Sequence, residues 1–83
     1  MKIAENISWK IIQDKVVAVD INTGIYFTMN LSASKIWIAL DKGEDIENIT
    51  TILHNTYPDK NESELRNDIQ EQIDYWKQEN LIV

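Results

Sequence analysis

The stretch Asp20-Ile21-Asn22-Thr23-Gly24-Ile25-Tyr26-Phe27-Thr28-Met29-Asn30-Leu31-Ser32-Ala33-Ser34-Lys35-Ile36-Trp37 changes its hydrophobic period partway along, and that change decides the fold. Asn22-Thr23-Gly24 reads as a three-residue hairpin loop, with Gly24 at the left-handed position that a type I turn plus bulge requires. Ile25 to Met29 then reads as a strand. If Phe27 and Met29 point into a core, Tyr26 and Thr28 face outward along an edge. From Asn30 or Ser32, either of which can cap a helix, the spacing becomes helical. Ala33, Ile36, Trp37 and Leu40 share one face, and Gly43 lies just beyond a natural stop.

Towards the N-terminus, Val16 to Ile21 is a β-branched run, Gln13-Asp14-Lys15 a polar break, and Ile7, Trp9 and Ile11 alternate with Ser8 and Lys10. Three strands in succession make an antiparallel meander. Towards the C-terminus, Asp45 can cap a second helix with the stripe Ile46, Ile49, Ile52, Leu53 and Tyr57, ended by Pro58. Asn61 with Glu64 resembles a capping box for a third helix, whose stripe is Leu65, Ile69, Ile73 and Trp76. Leu81-Ile82-Val83 is predicted to fold back onto the core. The order β-β-β-α-α-α predicts an α+β fold, a three-stranded antiparallel sheet followed by three helices in a winged helix-turn-helix-like arrangement. Residues 1–83 read as a single domain without linker or repeat.

Composition narrows the chemistry. A chain of 83 residues supports one small core and little depth for an enclosed active site. The absence of cysteine excludes disulfides, thiolate metal sites and thiol catalysis, and the single histidine, His54, leaves no two-histidine metal site. No nucleophile elbow, phosphate-cradling glycine loop or H-E-x-x-H motif is present. Asp41, Glu44, Asp45 and Glu47 surround the turn between the first two helices. They lack the alternating ligands of a calcium loop, and read as a solvated helix start. The expectation is a non-enzyme with no metal and no cofactor. The longest apolar run, Ile36 to Leu40, is far short of a membrane span, and no targeting segment is visible, so a cytoplasmic protein with no membrane partner is expected.

A winged-helix shape raises DNA binding, but charge opposes it. Fourteen acidic residues against eight basic ones leave a net charge of −6, and Glu62 to Glu79 alone carries six acids and two bases. Phosphates would repel such a helix, so no nucleic acid partner is expected. The exposed edge at Tyr26 and Thr28 instead could accept an extended peptide as an added strand. Equally, its own termini could cap it, and the residues alone leave both open.

The run Asp20 to Asn30, followed by Ser32-Ala33-Ser34-Lys35-Ile36-Trp37, resembles the PqqD family pattern: an acidic residue, a turn with Gly, an aromatic strand, an apolar residue plus Asn, then a helix with Ile-Trp. The end, Trp76-Lys77-Gln78-Glu79-Asn80-Leu81-Ile82, is similar to the family's closing signature, with Asn80 where Gly is usual. Asn tolerates a left-handed helix stop. The resemblance spans nearly the whole chain. It implies a RiPP recognition element, a small domain that binds the leader of a ribosomally made precursor peptide and delivers it to a modifying enzyme. The leader would pair with the third strand, here Ile25, Tyr26, Phe27, Thr28 and Met29, and pack against the third helix. On that helix the resemblance implies a groove beside the stripe of Ile69 and Ile73. One flank carries Arg66, Gln70, Ile73 and Lys77, the other Asp68, Gln72, Tyr75 and Glu79. The Arg66 flank is the expectation, because its bases could hold acidic leader residues. The implied enzyme partner is a leader peptidase, as in lasso peptide pathways, or a radical SAM enzyme. The rival readings are an acidic winged-helix regulator and an oligomerisation module.

Overall fold

Gln13 and Asp14 both take positive φ, 52° and 67°, the signature of a tight primed turn that suits the right-handed twist of a hairpin. They join β1 (Ile7–Ile12) to β2 (Lys15–Asp20) in the computed structural model, which describes residues 1–83. The second turn is the one read from Asn22-Thr23-Gly24. Gly24 has φ 77°, its N–H donates to the Asp20 carbonyl at 2.7 Å, and the Asp20 N–H closes the loop onto Ile25 at 2.9 Å. β3 (Tyr26–Thr28) follows, and the sheet order β1-β2-β3 leaves β2 in the centre and β1 and β3 as edges. The register pairs Ala18 with both Trp9 and Phe27, so the core-facing residues of the three strands lie in one row.

Three helices follow, α1 (Leu31–Asp41), α2 (Ile46–Thr56) and α3 (Glu62–Gln78), with α1 packed on β2 and α2 packed on α1 and α3. Each begins at a side-chain cap. Asn30 accepts from the Ala33 N–H, Asp45 from the Asn48 N–H and Asn61 from the Ser63 N–H, contacts worth ~1 kcal/mol apiece. The third departs from the expected box, since Asn61 satisfies Ser63 rather than Glu64. α1 and α3 end in the same device, a 6→1 and a 5→2 hydrogen bond around one left-handed residue. In α1 that residue is Gly43 (φ 85°), with Gly43 N–H on Leu40 and Glu44 N–H on Ala39. In α3 it is Asn80 (φ 61°), with Asn80 N–H on Lys77 and Leu81 N–H on Trp76.

The core is built on three indoles. Trp37 stands edge-on to Trp9 at 6.2 Å and to Trp76 at 5.2 Å, tying β1, α1 and α3 together. Such T-shaped pairs contribute ~0.5–1.5 kcal/mol each beyond the area they bury. Val16 and Ala18 of β2, Ile49 of α2, and Ile69 and Ile73 of α3 are fully enclosed around them. Leu81 and Ile82 do fold back. Lys2 and Val83 exchange backbone hydrogen bonds at 2.9 and 2.8 Å, around a bridge between Ile3 and Ile82. Val83, expected to fold back with Leu81 and Ile82, is exposed, as are Ile11 of edge strand β1 and Ile52 on the outer side of α2.

Candidate functional site

The hydrogen bonds at either end of β3 fix which of its main-chain groups are free. Ile25 accepts from Asp20, and the Met29 N–H donates to the Val16 carbonyl at 3.0 Å. Positions 25, 27 and 29 therefore turn towards β2, and in an antiparallel pair the intervening residues turn the other way. The N–H and C=O groups of Tyr26 and Thr28 point away from the sheet. Both residues are exposed, while Phe27 is half-buried and Met29 buried.

Ser34 shapes the end of this edge. Its hydroxyl accepts from the Val16 N–H at 2.8 Å and donates towards the Met29 carbonyl at 3.4 Å. The hydroxyl stands where Val16 would otherwise bond Met29 directly, so β3 parts from β2 here and the chain turns into α1.

Across from the free edge lies α3. Asp68, Gln72 and Tyr75, spaced i, i+4 and i+7, share one side of that helix with Glu71. Between them and Tyr26–Asn30 runs an open groove of about 530 Å³, floored by Ala33 and Trp76. Past the end of β3 it continues into a second cavity of about 520 Å³, with which it shares Asn30, Ala33, Asp68 and Gln72. That cavity is lined by Leu31, Ile36, Leu53 and Leu65, and by Lys15 and Lys60.

Tyr26, Phe27, Thr28 and Met29 all line the groove, whereas Ile25 precedes β3 and is exposed. On α3 the residues lining this groove are Asp68, Glu71, Gln72, Tyr75 and Trp76, and the Arg66 flank lies outside it. Arg66 is drawn to α2, where its Nε and Nη2 each donate to Glu47 at 3.0 Å, with Glu62 a further contact at 3.5 Å. Donating to the Glu47 carboxylate raises the guanidinium pKa further. The Gln70 amide donates to Asp74 within α3, and Lys77 is exposed away from the groove. Ile69 and Ile73 are wholly buried beneath the surface. The roll of α3 is set by that buried stripe, and with Arg66 facing α2 the opposite flank must face β3. Asn30, Ala33 and Glu71 line the groove too. Glu71 is three residues from Asp68, a signal that helical spacing offered.

Charge in the groove is negative. Its charged walls are Asp68 and Glu71, with no base among them, and only Asp68 has a cation near, Lys60 Nζ at 3.9 Å. On the hairpin beside β3, the Asn6 amide donates to the Asp20 carboxylate, as does the Asn22 N–H, and together they lower its pKa. No group of three histidine or acidic side chains is placed to hold a metal, and no helix is long and apolar enough to cross a membrane. His54 lies half-buried on α2, outside the groove. An edge with free main-chain groups, faced by a helix across an open channel, is suited to holding an extended peptide.

A family model described as coenzyme PQQ synthesis protein D (PqqD) matches residues 15–82. No curated protein matches the chain. Among solved structures, it superimposes with a TM-score of 0.92 on a chain described as TbiB1 in complex with the TbiA(beta) leader peptide. The two are 26% identical, over 99% of this chain and 94% of that one. A lasso peptide synthetase B1 complexed with the leader peptide superimposes with a TM-score of 0.90 at 20% identity, over 98% and 94%, a likeness of fold.

Proposed function

This chain belongs to the PqqD family, and from that premise we propose that it is a leader-binding adaptor that does no chemistry of its own. It takes the leader of a ribosomally synthesised precursor peptide as a fourth strand on β3 and presents it to a modifying enzyme. One observation carries this reading: the free N–H and C=O groups of Tyr26 and Thr28 open onto a groove walled by α3. The complex of TbiB1 with a leader peptide, similar over almost the whole chain, supports it.

Magnitudes assign the work between strand and groove. Two N–H and two C=O groups, each worth ~0.5–1.5 kcal/mol net once water is displaced, supply about 2–6 kcal/mol. Micromolar binding needs about 8 kcal/mol, before the cost of ordering the peptide. Side chains seated in the groove, against Phe27, Met29, Tyr75 and the apolar cavity beyond, must contribute the remainder. The main chain then holds any extended peptide, and the groove chooses among them. Presentation to an enzyme, a leader peptidase or a radical SAM enzyme, would raise the local concentration of the core peptide at its active site. The acids on the groove side of α3 oppose a DNA-binding role for that helix.

Fluorescence polarisation with the labelled leader of the protein's cognate precursor peptide tests the reading. Thr28→Pro removes an N–H that faces away from β2 and that the fold does not use. The lost hydrogen bond should lower affinity about two- to twelvefold, and the ring's bulk at the edge should lower it further, while circular dichroism stays unchanged. Full affinity in a folded T28P protein would rule out strand addition at this edge.

A further inference from the structure

The charge of the groove says something about the peptide it takes. The chain has eight basic residues, yet none lines the groove over β3, where the charged groups are Asp68 and Glu71. Lys60 partly offsets Asp68 from the side of the second cavity, and Glu71 is in no ion pair. The base on the neighbouring flank, Arg66, is already held by Glu47 in a two-pronged contact and cannot serve the groove without breaking it. A strand laid on β3 turns alternate side chains towards α3. Those side chains meet carboxylates with their outer faces in water and a half-enclosed floor beneath. An acidic side chain there would be repelled, and a basic one gains an attraction that an uncharged one lacks.

We infer that the groove selects an extended peptide segment with a lysine or arginine at a position facing Asp68 and Glu71. This inference rests on the strand-addition reading and names the class of leader that satisfies it. It also reverses the acidic leader residues anticipated from the Arg66 flank.

The test uses the whole protein and a defined probe, a phage-displayed library of random dodecapeptides. It is panned on immobilised wild-type protein and on the T28P, Glu71→Lys and Glu44→Lys variants. Glu44 lies at the turn after α1, outside the groove, so E44K alters the net charge as E71K does but in another place. The wild-type and E44K pools should be enriched in lysine and arginine. The E71K pool should lose that enrichment, and T28P should return no pool above background. For the best peptide, Glu71→Gln should weaken binding about two- to fivefold, the scale of a part-exposed ion pair. A wild-type pool that depends on Thr28 but shows no basic preference would overturn the charge inference and leave strand addition standing. Equal loss of basic preference in E44K and E71K would trace the effect to bulk charge and overturn it too. A wild-type pool no richer than that of T28P would overturn strand addition, and this inference with it.

Discussion

Replacing Ser34 with alanine removes one oxygen from the point where β3 leaves the sheet. Val16 and Ser34 are at most 1% exposed, and the Val16 N–H donates to Ser34 Oγ at 2.8 Å. In Ser34→Ala that N–H loses its acceptor, and the space vacated by one oxygen is too small to admit a water. An unsatisfied buried donor costs ~1–3 kcal/mol. The Met29 carbonyl, 3.4 Å from the hydroxyl, loses a weak contact and adds little. For a domain of this size each kcal/mol lowers Tm by ~4–8 °C, so a fall of about 5–20 °C is expected. Thermal and urea unfolding followed by circular dichroism would measure it. Ser32→Ala is the control, because the Ser32 hydroxyl bonds an exposed Asn30 oxygen and its loss should stay within about 0.5 kcal/mol. If S34A costs no more than S32A, the Val16 N–H has closed directly onto the Met29 carbonyl. The hydroxyl would then hold nothing apart.

The other outcomes can be checked on the same samples. Asn80→Gly should stabilise the domain by about 0.5–1 kcal/mol in urea unfolding, and Asn80→Val should destabilise it by more than ~1 kcal/mol, because φ is 61° there. Asp20 should titrate below the ordinary carboxylate range by NMR, and Asn6→Ala should move it upward. Because the folded pKa is the lower one, this contact stabilises the fold above the ordinary value of 3.8, and its contribution is lost as pH falls through the depressed one. Arg66→Met should leave leader affinity within twofold of wild type, since its guanidinium serves Glu47. A tenfold loss would put the peptide on that flank instead.

Local chemistry made most of the fold legible. The Asn22-Thr23-Gly24 turn, the caps at Asn30, Asp45 and Asn61, and the buried stripe of α3 each depend on near neighbours, and each is found where its residues point. The Asn80 stop is of the same kind. Misplaced features depend on distant elements. Ile52 matches the period of α2, but no partner element covers that side, and Ile11 lies on an edge strand. The groove's helix flank was a question of how α3 is rolled. Arg66 and Asp68 stand on opposite sides of the same stripe, and a contact with Glu47, 19 residues away, accompanies the choice. Spacing along one helix carries no information about such a partner.

The bridge between Ile3 and Ile82 bears on the order in which the fold can close. Lys2 and Val83 hydrogen-bond to each other, and Leu81 and Ile82 are core residues, not a tail. The strands and α1 can form their local contacts early, but the core they belong to lacks its last pieces until Leu81 and Ile82 are in place. A chain shortened to Gln78 would carry every strand and helix and still expose the apolar surface that Leu81 and Ile82 cover. The domain therefore closes as one cooperative unit, with Leu81 and Ile82 as much a part of the core as any helix.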